Sequence, residues 1–301
     1  MQWQRTFDST PVVPEDPFFE AFRDACESGD MPAVQEAIAS GRLTVEELDK
    51  GLKLATLMRY LEIVTALFNT GARVTPETTL HVPGAKGQQD PRIVRLFLDR
   101  GMDPNATHST LIMKPRRSTS STPTPLRRSE GEPNLPMFRN LECVALLLEA
   151  GADPNRRGPR GIPALGYAIM RAREPDTTLL DLYIAHGARL EPNLLCYAVR
   201  PRIRQSEFMT RFLLDRGLDP NAAFDDEWGT PLHCAAATGK VNLVKMLLEA
   251  GANPTAIPAE SYKLGRVTPA QAVEKRMERG RCREGISILG LLKAYTPKTK
   301  L

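Results

Sequence analysis

The chain has 301 residues, 42% of them hydrophobic and 6% aromatic, and its 40 Lys and Arg exceed its 36 Asp and Glu by only four charges. That excess does not by itself call for a polyanionic partner. No run approaches the roughly 18 apolar residues of a membrane-spanning helix. The opening stretch MQWQRTFDSTPVVPEDP lacks the apolar core of a signal peptide.

The five cysteines, Cys26, Cys143, Cys196, Cys234 and Cys282, are scattered, odd in number and free of C-x-x-C spacing. They exclude a disulfide framework and a zinc site and point to a reducing compartment. The expected setting is intracellular: the cytoplasm, with the nucleus as a second address.

Residues 1–15 are polar and broken by proline, and read as a flexible lead. A first helix pair is expected over 17–41, capping a series of repeats, with the next two near 42–76 and 77–106. Residues 114–136, KPRRSTSSTPTPLRRSEGEPNLP, carry five basic residues and five prolines and no apolar periodicity. They read as a disordered basic insertion in the fourth repeat, between a stunted first helix near 109–113 and an intact second helix at 138–150. Repeats five to seven fall near 157–191, 192–222 and 223–254. The eighth is stretched by a loop at 255–265 and closes with a helix near 286–294, leaving 296–301 as a tail.

The repeat is phased by glycine. Gly41, Gly71, Gly101, Gly151, Gly187, Gly217 and Gly251 follow one another at intervals of 30, 30, 50, 36, 30 and 34 residues. Seven, four and three residues before each lies mostly the same apolar stripe: Val64, Leu67 and Phe68 before Gly71, and Val144, Leu147 and Leu148 before Gly151. That spacing is one face of a helix. Asp-Pro-Asn recurs two residues after three of the glycines, beginning at Asp103, Asp153 and Asp219. Two short amphipathic helices cannot bury their faces alone, so such units stack on their neighbours.

The clearest unit is GTPLHCAAATGKVNLVKMLLEAGANP, residues 229–254. Thr230-Pro231 opens a helix, Gly239 breaks it, and Gly251 ends a second one. With its Thr230-Pro231-Leu232-His233-Cys234-Ala235 motif and the recurring Gly-x-Asx-Pro-Asn endings, the chain resembles the ankyrin-repeat family over roughly residues 16–295. Ile162-Pro163-Ala164-Leu165 and Thr268-Pro269-Ala270-Gln271 are partial versions, and the first three repeats read as having lost the motif. The resemblance implies an all-α, ankyrin-type helical repeat solenoid of about eight helix-turn-helix repeats. It also implies that His233 hydrogen-bonds to backbone between adjacent repeats.

No catalytic, cofactor-binding or metal-ligating constellation is visible. None of the four histidines lies at ligand spacing from another His or a Cys, and no phosphate loop or nucleophile elbow is present. The expected function is a non-catalytic scaffold or adaptor, monomeric, that holds a protein partner on the concave face and hairpin fingers. The expected contacts are Arg156, Arg157 and Arg160 on one finger, Asp225, Asp226, Glu227 and Trp228 on another, and Thr238 and Lys240 near the concave face. Arg200, Arg202 and Arg204 form a further basic edge or a solvated one. Fingers of opposite sign favour a protein over a nucleic acid, which wants a continuous basic stripe with stacking aromatics. In the insertion, Lys114-Pro115-Arg116-Arg117 and Arg127-Arg128 resemble a bipartite import signal, and Ser118, Thr119 and Ser129 follow arginine pairs as basophilic kinase sites do. A nucleocytoplasmic regulator switched by their phosphorylation is the first alternative, and an enzyme-associated subunit with no recognisable site the second.

Overall fold

The computed structural model describes residues 16–83, 89–105, 107–108, 132–133, 135–158, 161–222, 229–258, 265–280 and 282–296. The flexible lead at 1–15, the stunted helix expected near 109–113 and most of the insertion at 114–136 therefore lie outside the described residues. The chain divides into two compact units, Met1–Gly151 and Ala152–Leu301.

In the first unit the helices are α1 (Pro17–Ser28), α2 (Met31–Ala39), α3 (Val45–Met58), α4 (Leu61–Thr70), α5 (Pro76–Thr79), α6 (Pro91–Asp99) and α7 (Leu141–Glu149). Nearly every start is capped by a side-chain oxygen that satisfies an orphan N–H of the first turn. Asp30 accepts from Ala33, Thr44 from Glu47 and Asn140 from Cys143. Thr75-Pro76 opens α5 with a reciprocal capping box through Thr78, so the third repeat keeps a Thr-Pro start, contrary to the expectation that it had lost the motif. The apolar stripes predicted on α4 and α7 are buried, with Val64, Leu67, Val144 and Leu147 all at 0% exposure.

The second unit contains α8 (Ala164–Arg171), α9 (Thr178–Ala185), α10 (Asn193–Val199), α11 (Ser206–Asp215), α12 (Pro231–Ala237), α13 (Val241–Glu249), α14 (Pro269–Glu278) and α15 (Gly285–Tyr295). Consecutive helices pair, and each first helix also packs on the next repeat's first helix: α8 on α10, α10 on α12, α12 on α14. The core between them is built from small and branched residues, including Val199, Leu232, Ala235, Ala236, Leu247 and Ile288. All seven phased glycines have positive φ, between 65° and 114°, which is why glycine recurs where the second helix must end and the chain turn back.

Described structure brackets the insertion. Thr107–His108 pairs antiparallel with Glu132–Pro133, with Thr107 opposite Pro133, as the short strands β1 and β2. A single bridge joins Arg157 to Pro163 in the following repeat. Both first members lie two residues after the Asn of Asp-Pro-Asn, at Asn105 and Asn155, so the two pairings are the same hairpin. The extra residues are therefore carried inside a finger. The fourth repeat's first helical turn is the 3-10 turn Leu135–Met137, after the insertion, with Leu135 buried as Leu165 is. Described structure resumes at residue 132, within the range 114–136 expected to be insertion.

Candidate interaction surface

The fingers are tied to the stack by a repeated set of hydrogen bonds. Each Asp-Pro-Asn closes on itself, the Asn N–H donating to the Asp carboxylate at 2.8 Å for Asn105, Asn155 and Asn221. The Asn side chain then reaches the next repeat. Asn105 Nδ2 donates to the Gly151 carbonyl at 2.8 Å, Asn155 Nδ2 to Gly187 at 2.9 Å and Asn221 Nδ2 to Gly251 at 2.9 Å. Its Oδ1 accepts in return, from Arg189 N at 2.9 Å for Asn155 and from Asn253 N at 2.7 Å for Asn221. One amide thus satisfies a donor and an acceptor at a helix end that would otherwise face water.

His233 stitches the first helices. It is fully buried, with Nε2 3.0 Å from the Val267 carbonyl and Nδ1 2.7 Å from Thr230 Oγ1. A carbonyl only accepts, so Nε2 carries the proton and Nδ1 accepts from the threonine hydroxyl. Burial pushes its pKa down to about 4, against a smaller opposing effect of backbone hydrogen bonds to Val267 and Ala256. This is the inter-repeat bond expected at the motif histidine.

Of the expected contact residues, four are described. Arg157 donates to the Gly161 carbonyl at 2.8 Å and to both carboxylate oxygens of Glu191 at 2.8 Å, so its guanidinium braces its own finger against the next repeat. Arg156 is half-buried on the same finger. Thr238 bonds back to the Cys234 carbonyl at 2.7 Å. Lys240 directs its ammonium at the Arg200 carbonyl (3.0 Å), the Val199 carbonyl (3.3 Å) and Ser206 Oγ (3.3 Å), where it satisfies the C-terminus of α10. Burial lowers its pKa, and nearby Cys234 and Glu207 partly oppose that. Arg160, Asp225, Asp226, Glu227 and Trp228 lie outside the described residues, as do Ser118, Thr119 and Ser129. The structure brings the sixth and seventh repeats together through Lys240 but assembles no single cluster from the expected set.

Sequence reasoning missed two clamps. Gln89 accepts from Arg139 N and Asn140 N, both at 2.7 Å, and donates to the Met137 carbonyl at 3.1 Å, fixing the start of α7. Gln205 Nε2 donates to the Arg173 carbonyl at 2.6 Å, joining the turn after α8 to the turn before α11. Isolated glutamines in polar loops carry no signal that distinguishes them from solvated ones. An open groove of about 500 Å³ lies beside Gln89, edged by Met58, Arg59, Tyr60, Asp90 and Arg92. Asp90 caps α6, and its hydrogen bond from Arg92 holds its carboxyl below the usual range.

Cys26, Cys143 and Cys282 are poorly suited to nucleophilic chemistry. Burial pushes Cys26 and Cys143 up to about 12, and Cys282 is also raised. Among the described residues no group of three or more His, Cys, Asp or Glu could hold a metal ion, and no helix is long and apolar enough to cross a membrane.

Paired helices repeated at a fixed phase, each repeat packed on the next within its compact unit, define a helical repeat solenoid. The family model described as ankyrin repeats (many copies) matches residues 195–248. A 70-residue stretch is 43% identical to the potassium channel AKT1 of Arabidopsis thaliana, covering 23% of this chain and 8% of that protein. A 128-residue stretch is 29% identical to the fowlpox virus ankyrin repeat protein FPV219, covering 39% of this chain and 26% of that one. The chain thus spans a small part of these curated relatives. Among solved structures, an ankyrin repeat domain from Acinetobacter baumannii aligns with TM-score 0.43 and 25% identity, over 58% of this chain and 88% of that one. The human ASB11 ankyrin repeat domain aligns with TM-score 0.45 and 16% identity, over 94% and 99%. With the motif of α12 and the family match, residues 195–248 are ankyrin repeats, and the same glycine phasing runs through the rest of the repeats.

Proposed function

We infer that these repeats, like ankyrin repeats as a family, serve as a protein–protein interaction module. We propose that this chain is a non-catalytic scaffold or adaptor that holds a partner protein against its fingers and first-helix turns. The observation that carries this reading is the rung formed by each Asp-Pro-Asn. By fixing the fingers before a partner arrives, the rungs remove ordering entropy that binding would otherwise have to overcome. Arg156, Arg160, Asp225, Asp226, Glu227, Trp228 and Thr238 are proposed contacts. Arg157 and Lys240 act as positioning residues, because their cationic heads already serve Glu191 and the end of α10. Phosphate on Ser118, Thr119 or Ser129 would cancel the positive charge of the inserted segment and weaken any acidic contact it makes.

The test is cross-linking and affinity capture from native lysate, with wild type compared against Asp226→Lys, Glu227→Lys and Trp228→Ala combined. Partners lost only from the variant, with circular dichroism unchanged, support recognition on the fingers. Equal recovery by both proteins removes the fingers from the reading.

A further inference from the structure

Within the second unit, the end of α8 and the turns after α8 and α10 carry five arginines: Arg171, Arg173, Arg200, Arg202 and Arg204. Gln205 holds these turns together through its 2.6 Å bond to the Arg173 carbonyl. Two of the five are already used. The Arg171 guanidinium lies 4.7 Å from the centre of the Tyr167 ring, and that of Arg200 lies 5.1 Å from the Tyr197 ring.

The other three are different. Arg173, Arg202 and Arg204 are exposed, and none of their guanidinium groups makes an ion pair or hydrogen bond among the described residues. No carboxylate among the described residues pairs with them. Asp176 is consumed at the start of α9, where it accepts from Thr178 N at 2.9 Å and Thr178 Oγ1 at 2.6 Å. Glu207 accepts from Asn242 at 3.1 Å, which leaves Glu174 as the one uncommitted acid on these turns.

The backbone adds an independent observation. Arg202 has φ of 70°, in the left-handed region, one of two non-glycine residues with positive φ among those described. Glycine takes that conformation without strain, and Gly29 and Gly239 do so in the helix-to-helix turns of other repeats. A long cationic side chain is held in a conformation that disfavours it, the pattern of strain seen at recognition sites.

We propose that these turns bind an acidic segment of a partner protein, with Arg173, Arg202 and Arg204 pairing with successive Asp or Glu carboxylates. This rests on the protein-binding reading above and names the chemistry of the partner. Guanidinium groups match carboxylates two bonds at a time, which gives direction as well as attraction. A nucleic acid fits less well. The two tyrosine rings are already covered by Arg171 and Arg200 rather than offered to bases.

The experiment measures fluorescence anisotropy of a labelled peptide alternating Glu and Ser, with the full chain, at low salt. A Gln/Ser peptide and a single-stranded oligouridine serve as comparison probes. Arg173→Gln, Arg202→Gln and Arg204→Gln combined should weaken binding of the Glu peptide by at least roughly tenfold, and Arg211→Gln on α11 should leave it unchanged. Equal binding of the Glu and Gln peptides, or an unchanged affinity in the triple variant, overturns the proposal. Oligouridine binding that is tighter than the Glu peptide and lost in the triple variant overturns it in favour of nucleic acid. A native partner that needs the fingers yet binds the triple variant normally sinks this surface while leaving the protein-binding function standing.

Discussion

The first two helix pairs and the last four achieve the same register with different chemistry. In the second unit, Asn155 and Asn221 accept from the backbone N–H two residues beyond the phased glycine of the next repeat, at Arg189 and Asn253. In the first unit no Asp-Pro-Asn follows Gly41. Asp49, on α3, accepts instead from Arg73 N at 2.6 Å, and Arg73 is again two residues beyond a phased glycine, Gly71. Its guanidinium also grips Asp49, with Nη2 at 2.7 Å and Nε at 3.0 Å. The first helices there run to 12 and 14 residues in α1 and α3, against 7 in α10 and α12. A longer helix carries the acceptor to the place a finger would otherwise reach. The backbone donor at the turn must be satisfied, and either a neutral amide or a charged carboxylate will serve.

The comparison can be broken most forcefully at His233, which has no counterpart in the first unit. Replacing it with Ala removes the buried bond to the Val267 carbonyl and the ring acceptor of the Thr230 hydroxyl and opens a cavity, for an expected loss of roughly 3 kcal/mol. Hydrogen exchange should show that loss in α12 and α14 and leave α1 to α4 protected.

Acid provides the same test without mutation. The folded pKa of His233, about 4, lies below the usual value of 6.5. The unfolded chain therefore binds the proton first. Stability should be full above pH 6.5 and decline as pH falls toward 4, by up to roughly 3 kcal/mol. Denaturant melts of wild type and His233→Ala across this range should converge as pH falls. Parallel curves would mean that another group carries the effect.

The two kinds of rung separate under salt. Asn221→Ala removes the bonds to the exposed Gly251 carbonyl and Asn253 N–H, which water can replace, and should cost about 1 kcal/mol, equally in low and high salt. Asp49→Asn keeps an acceptor for Arg73 N but removes the charge, and should cost under about 1 kcal/mol. That cost should shrink in molar salt, because the Arg73 side chain is 60% exposed. Chemical denaturation with urea, which is uncharged, reads both. The smallest effect is expected at Arg202→Gly, where relief of positive φ offsets a more flexible unfolded chain and stability should rise by no more than about 1 kcal/mol.

Much of this architecture is legible in the sequence because it rests on local rules. The glycine phase and the stripes of α4, α7 and α13 follow from helix periodicity and the need for a left-handed residue at the helix end, and the structure places them where those rules require. In the fourth repeat the 3-10 turn Leu135–Met137 is too short to show any period, so the sequence reads it as part of the insertion. Thr75-Pro76 escapes notice because α5 is only four residues long and lacks the Leu-His that follows Thr230-Pro231. For the candidate surface, the basic character of the finger and turns is readable. The commitments of Arg157 and Lys240 are not, since their partners lie 34 to 41 residues away in sequence and are reached only through the stack.

The hairpin clasp at Thr107–His108 and Glu132–Pro133 has a consequence for how such a protein changes over time. The next hairpin closes five residues, 158–162, whereas this one closes 108–132. Loop-closure entropy grows only with the logarithm of length, so the longer excursion costs on the order of 1 kcal/mol more. The clasp therefore isolates the stack from whatever lies beyond it. Sequence on the far side is free to lengthen, shorten or take on new motifs while the helices beneath keep their register, which makes this finger a natural port for grafting foreign peptides and a place where the lineage could experiment at little risk to the fold.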